Sequence, residues 1–193
     1  MRKLTLSLLF TILSIVLWAQ HLEQQAQQLP LHSSQNPDKQ IITGAERTEI
    51  YLPLLEGKRV AICGNQSSLI GKTHLVDSLI SRKVNVVKIF SPEHGFRGNA
   101  EAGAHISSST DSKTGLPIIS LYGKNKKPTA EQMKGIDLII FDIQDVGCRF
   151  YTYISTLHYV MEAAAENNVD VLILDRPNPN GYFVDGPVLE YKY

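Results

Sequence analysis

The run Ile136-Asp137-Leu138-Ile139-Ile140-Phe141-Asp142 restricts this chain more than any other feature. Its apolar residues follow one another instead of alternating with polar ones, so both faces of the strand must be covered. Strands of that kind belong to parallel sheets packed between helices. Similar short runs recur at residues 59–64, 84–90, 116–121 and 169–174. Helical stripes fall between them. Residues 73–82 place Leu75, Val76, Leu79 and Ile80 on one side, and residues 152–167 do the same with Ile154, Leu157, His158, Met161, Ala164 and Ala165. Residues 128–134 start another helix with Pro128 in the first turn, and residues 43–55 read as a short helix or turn leading into the first strand. Strands alternating with helices, joined by right-handed crossovers, predict a doubly wound α/β layer structure with a mostly parallel sheet over residues 43–190.

The rest of the 193 residues sets limits on function. Lys plus Arg and Asp plus Glu balance at 19 each, which leaves no basic footprint for nucleic acid or anionic lipid. A hydrophobic content of 43% excludes disorder along the whole length. Residues 1–19 begin with Arg2 and Lys3, continue as an apolar stretch to Trp18 and end at Ala19, the layout of a signal peptide. Export to the periplasm or medium is therefore expected, with no stable membrane insertion after cleavage; the alternative is an uncleaved membrane anchor, for which the apolar run is short. Residues 20–42 form a polar leader rich in Gln and Ser. Cys63 and Cys148 each sit beside a strand pattern and a glycine, and both read as small core residues. No metal and no cofactor are expected: there is no CxxC pair, and the spacing of His94, Glu101 and His105 matches no familiar site. Gly71-Lys72-Thr73 matches only the end of a phosphate-binding loop, and Gly64-Asn65-Gln66-Ser67 is not a serine-hydrolase elbow.

Polar residues gather just after the strand ends. They are Asn65 and Gln66, then Glu93 and His94, then Asp142, Gln144, Asp145 and Arg149, and finally Asp175, Arg176, Asn178 and Asn180. In an open parallel sheet those loops share one edge, where ligands bind. Such a set suits a carbohydrate. A glycosidic oxygen leaves well only when protonated, and Glu93, held between Pro92 and Gly95, is the candidate general acid, with His94 to orient it. Asp142 and Asp145 are candidates for the second carboxylate. Asp142 has an alternative role in holding the Gly147-Cys148-Arg149 turn. Arg149 or Arg176 could pair with a substrate carboxylate. Tyr151 and Tyr153 offer stacking surfaces, or else pack the helix that follows. Asn65, Arg97, Asp175 and Asn178 complete the predicted binding set, and each acidic or amide residue could instead cap a neighbouring turn.

Several long motifs then point the same way. Phe90-Ser91-Pro92-Glu93-His94-Gly95-Phe96-Arg97-Gly98 resembles the signature of the exo-β-N-acetylmuramidase NamZ family, formerly a domain of unknown function, DUF1343. The resemblance runs on through Ser107-Ser108-Ser109-Thr110-Asp111, Thr114-Gly115-Leu116-Pro117 and Ser120-Leu121-Tyr122-Gly123. It is strongest from Phe141 through Gly147-Cys148-Arg149-Phe150 to Tyr153, and it closes with Leu174-Asp175-Arg176-Pro177-Asn178-Pro179 and Gly186-Pro187-Val188-Leu189. What it implies is a Rossmann-like N-terminal domain followed by a further C-terminal domain, with the cleft at their junction. It also implies release of N-acetylmuramic acid from the non-reducing ends of peptidoglycan fragments, with Glu93 matching the catalytic glutamate. The chain departs from the family at Cys148, where relatives often have alanine, and at Asn65-Gln66-Ser67-Ser68. It is expected to represent the N-terminal portion, truncated before the C-terminal domain. The alternatives to a complete glycosidase are a non-catalytic carbohydrate-binding remnant, or half of a split enzyme that needs a C-terminal partner chain.

Overall fold

A computed structural model describes residues 41–92, 95–98, 109–182 and 184–192. The predicted signal peptide and nearly all of the polar leader lie outside the described residues. Residues Ile41–Tyr193 form one compact unit.

Eight strands are described: β1 (Val60–Gly64), β2 (Leu69–Ile70), β3 (Thr73–His74), β4 (Val86–Ser91), β5 (Ser109–Thr110), β6 (Pro117–Ser120), β7 (Leu138–Asp142) and β8 (Asp170–Ile173). Four α-helices accompany them: α1 (Thr48–Tyr51), α2 (Leu75–Ser81), α3 (Ala130–Met133) and α4 (Tyr153–Glu166). Six strands form one sheet in the order β5-β6-β4-β1-β7-β8, and β2 and β3 pair separately. All neighbours in the large sheet run parallel except β5, which is antiparallel to β6. The chain therefore builds outward from β1 to β4 and β6, then returns to the other side of β1 with β7 and β8. The strand order reverses between β1 and β7, as in doubly wound Rossmann-like folds.

Burial explains the unbroken apolar runs. Every residue of β1 and of β7 is buried. Val60 and Ile62 of β1, with Leu138 and Ile140 of β7, pack on one face against Leu75, Val76 and Leu79 of α2. Ala61, Cys63, Ile139 and Phe141 face the other way, against Met133 of α3 and Tyr153, Val160, Ala163 and Ala164 of α4. On the α2 face the first described turn also contributes: Ala45, Tyr51 and Leu55 are buried, and the Tyr51 hydroxyl donates to the Ala45 carbonyl at 2.9 Å. Burial pushes that phenol up to about 12.

Two boundaries and one burial differ from expectation, each for a local reason. Helix α2 starts at Leu75 rather than residue 73, because Thr73 and His74 pair with Ile70 and Leu69. The His74 ring then accepts from the Val76 amide and caps the helix. Pro128 stands before α3 and not in its first turn. Thr129 is the N-cap, and its capping box with Gln132 fixes the start. Cys63 is a core residue whose thiol burial pushes up, but Cys148 is only half-buried and lies against Asn180. The reading of Cys148 as core is thereby corrected: the turn that holds it rides above the sheet. Both cysteines are free thiols.

Candidate functional site

Gly64 and Asp142 end β1 and β7 side by side in register, at the point where the strand order reverses. The chain leaving Gly64 turns at once. The Asn65 amide donates to Ser68 Oγ at 3.0 Å, and Asn65 Oδ1 accepts from the Ser67 amide at 2.9 Å and the Ser67 hydroxyl at 2.6 Å. An Asn side chain that folds its own backbone in this way is the reason for Asn at such a bend. The turn leaves no room for a side chain at Gly64: a Cβ there would meet Ser68 Oγ at 2.6 Å.

Both serines then reach across to the end of β7 and the loop that follows it. Ser68 Oγ donates to the Asp142 carbonyl, and Ser67 Oγ accepts from the Gln144 amide at 2.9 Å. Asn65 Nδ2 donates to the Tyr153 hydroxyl at 3.0 Å, linking the bend to the first residue of α4. His74 backs the same bend, its Nε2 lying 3.0 Å from the Asn65 carbonyl. Burial lowers the His74 pKa against the pull of that carbonyl, which favours a neutral ring donating from Nε2 and accepting at Nδ1.

Asp142 meets Arg176 from the loop after β8. Arg176 Nε donates to Oδ1 at 2.6 Å and Nη2 to Oδ2 at 3.0 Å, and the same Nη2 donates to the Leu69 carbonyl at 3.0 Å. The carboxylate is 0% exposed and the arginine side chain 9%. Burial raises the Asp142 pKa while Arg176 works to lower it. Both carboxylate oxygens are therefore held by Arg176, away from solvent. Nε and Nη2 of Arg176 are thus engaged by Asp142 and Leu69, and Arg176 also lines the neighbouring cleft.

The loops after β7 and β8 interlock above this pair. Gln144 Nε2 donates to the carbonyls of Asp145 and Pro177, both at 2.8 Å. Asp145 Oδ2 accepts from the Gly147 amide at 2.8 Å, and Asn180 Nδ2 donates to the Val146 carbonyl at 2.8 Å. Asn178 Oδ1 accepts from the Asn180 amide and lies where a Cβ on Gly147 would stand, 2.1 Å away. Gly147 also has φ of +72°, so only glycine fits. Tyr151 and Tyr153 meet edge to face at 5.0 Å. Arg149 is exposed, with one nitrogen on the Pro187 carbonyl at 2.6 Å. Asp175 is exposed too, while its carbonyl accepts from the Gly44 amide at 2.7 Å. Beside the rim lies a cleft of about 270 Å³, apolar along Ile143, Ile154, Leu157 and Ile173, with Asp145 and Asn178 at its polar margin.

The predicted residues thus fall into groups. Asn65, Asp142, Asp145, Tyr153, Arg176 and Asn178 are brought together, and Arg149, Tyr151 and Asp175 flank them. Arg97 stands apart. Its Nε and Nη2 donate to Asp111 at 2.7 Å each, and Nη1 and Nη2 donate to Asp77 of α2 at 3.2 and 3.0 Å. That fully used guanidinium fixes a loop to a helix. Hydrogen bonding from Arg97 holds Asp111 down at about 2, against the opposing effect of burial. Burial works to raise Asp77, and Arg97 with Lys113 more than offsets it. Glu93 and His94 lie outside the described residues, as do Glu101 and His105.

Sequence reasoning passed over Ser67, Ser68, His74, Asp77 and Asp111. The two serines carried a signal, since they follow a strand end directly. The Asp77–Arg97–Asp111 cluster carried none, because its members are dispersed along the chain and meet only after folding.

The description "Exo-beta-N-acetylmuramidase NamZ, N-terminal" matches residues 60–193. The peptidoglycan beta-N-acetylmuramidase NamZ of Bacillus subtilis (strain 168) is 49% identical over 148 residues, which cover 74% of this chain and 35% of the relative. Two solved DUF1343 family proteins from Bacteroides fragilis NCTC 9343 superpose with a TM-score of 0.69 each. They are 51% and 46% identical, covering 80% and 78% of this chain but 40% and 38% of their own. The chain spans about a third of the length of the curated relative it matches.

Proposed function

This chain belongs to the exo-beta-N-acetylmuramidase NamZ family, to whose N-terminal part it corresponds, and on that premise we propose that it builds the sugar-facing sheet edge of a muramyl-sugar hydrolase. Turnover needs a second part, the polypeptide that the Bacillus relative carries beyond the matched stretch. The observation that supports this reading is the welding of three loops at the β1–β7 reversal by Asn65, Ser67, Gln144 and the Asp142–Arg176 pair. Such bracing presents exposed polar groups on a rigid rim, and rigid placement is what transition-state recognition requires.

Within this reading Glu93 supplies the proton to the glycosidic oxygen and His94 orients it. Asp145, half-buried on the rim, is the carboxylate left open to assist at the sugar, with the substrate acetamide as the other source of assistance. Arg149 takes the lactyl carboxylate of N-acetylmuramic acid, because Arg176 is occupied. Asp142 and Arg176 act as positioning residues. Residues 1–19 direct export, so the mature chain works outside the cytoplasm on peptidoglycan fragments.

The test is hydrolysis of a chromogenic N-acetylmuramide by the full chain, alone and with the C-terminal portion of the Bacillus relative added separately. Turnover only in the mixture supports the reading, and Glu93→Gln should abolish it without altering the fold. Binding of muramyl sugar with no turnover in either case reduces the chain to a carbohydrate-binding module. Export is checked by N-terminal sequencing of the protein recovered outside the cytoplasm; an intact Met1 there would reject cleavage.

A further inference from the structure

The two edges of the large sheet are finished differently. At one edge β5 is a two-residue antiparallel strand of Ser109 and Thr110. A short polar strand is a usual way to blunt an edge. At the other edge β8 pairs only with β7, and no described strand covers its outer side. The amides of Asp170 and Leu174 donate to Asp137 and Phe141. Alternation along the strand therefore turns the N–H and C=O groups of Val171 and Ile173 outward. No proline or charge interrupts Val171-Leu172-Ile173.

The surface beside that edge is apolar. Ile173 is 46% exposed, and from α4 Ile154 is 62% and Met161 48% exposed. The cleft of about 270 Å³ opens between Ile154 and Ile173, with Leu157 and Ile143 on its wall. A row of unpaired backbone groups beside an apolar trough is what an added β-strand requires: main-chain bonds along the edge and a pocket for its alternate side chains.

We propose that the outer edge of β8 is a strand-docking site for an extended, apolar segment of NamZ-type polypeptide outside the matched stretch. The occupant rests on the two-part reading above. That reading provides a polypeptide of sufficient length, since 148 matched residues make up only 35% of the Bacillus relative. Continuity points to it as well: β8 leads straight into Asp175 and Arg176, so a strand added here would set the second part next to the rim it completes.

The experiment uses the full chain and, as probe, the C-terminal portion of the Bacillus relative, with no sugar present. Binding is followed by calorimetry and by amide exchange. The Val171 and Ile173 amides should slow by about tenfold or more in the mixture, as newly paired edge groups do. Ile173→Lys, and independently Ile154→Lys, should weaken binding by about tenfold or more while circular dichroism stays unchanged. Ile50→Lys on α1, equally exposed but not lining the cleft, should bind like the parent chain. Absence of a complex, or unchanged affinity in both edge variants, overturns the proposal. So does protection of those amides in the chain alone, whether lost on dilution, which would indicate a second copy, or lost on removing residues 1–40. Complex formation without sugar turnover would leave the docking site standing and sink the hydrolase reading. Turnover unaffected by the edge variants would do the reverse.

Discussion

Strand β7 has an Asp–Arg pair at each end, and the two pairs behave in opposite ways. At its start Asp137 accepts two bonds from the Arg59 side chain, at 2.9 and 2.7 Å, and one from the Arg59 amide at 2.8 Å. At its finish Asp142 takes a similar fork from Arg176. The side chain of Asp137 is 38% exposed and that of Asp142 0%. Hydrogen bonds from Arg59 hold Asp137 well below the usual carboxylate range, whereas burial shifts Asp142 upward in spite of Arg176. Similar bonds give opposite shifts because water screens one pair and has been removed from the other. A surface pair adds little to stability, and a buried one costs nearly as much to desolvate as it returns. The buried pair is therefore best understood by what it arranges, which is the rim where three loops meet.

The largest effect should come from breaking the buried pair. Arg176→Leu leaves Asp142 uncompensated and should cost about 3–5 kcal/mol in urea denaturation. The double change Asp142→Leu with Arg176→Leu should recover most of that. A single variant as stable as the parent would mean the pair is not desolvated. Next comes Gly44→Ala. Its Cβ would stand 2.5 Å from the Asp175 amide nitrogen, behind the Arg176 loop, and overpacking of that kind should cost about 1–3 kcal/mol. A normal unfolding midpoint would show that the loop can yield.

A smaller effect, dependent on pH, belongs to Asp111. Its carboxyl falls from 3.8 to about 2 in the folded chain. A depressed carboxyl stabilises above its unfolded value and loses that contribution as pH falls through the folded one. Thermal midpoints of the parent and Asp111→Asn should therefore differ most above pH 3.8 and converge towards pH 2. Parallel curves would assign the difference to packing instead. The smallest effect is expected from Asp137→Asn, a shift near the limit of detection by the same melting assay. A loss comparable to that of Arg176→Leu would erase the contrast between the two ends of β7.

Much of the scaffold could be read before folding. The unbroken run ending at Asp142 demanded cover on both faces, and β7 has it. The stripe from Ile154 to Ala165 predicted α4, although Ile154 and Met161 are exposed and only part of the stripe packs. The convergence of Asn65, Asp142 and Arg176 was also legible, because a parallel sheet leaves few places for the residues after its strands. What could not be read was who pairs with whom. Asp142 and Arg176 each looked available to a ligand in the sequence, and each is used by the other. Arg97 sat in a functional motif, yet its partners Asp77 and Asp111 come from a helix and a turn that sequence spacing does not connect. Pairing of that kind depends on distances set by packing, and linear order carries little trace of it.

Gly44 has one more implication. Its amide closes onto the Asp175 carbonyl, and its missing side chain lets the first described turn lie against the exit from β8. Two stretches that leave the ribosome far apart in time thus rest on each other. The early stretch also packs on Val60, Ile62 and Leu75, but the Gly44–Asp175 closure spans nearly the entire described chain, and such distant contacts are slow to form. Of the cover over Ala45 and Tyr51, only the Leu174 part comes from the far end of the described chain, so the seam closes last at β8.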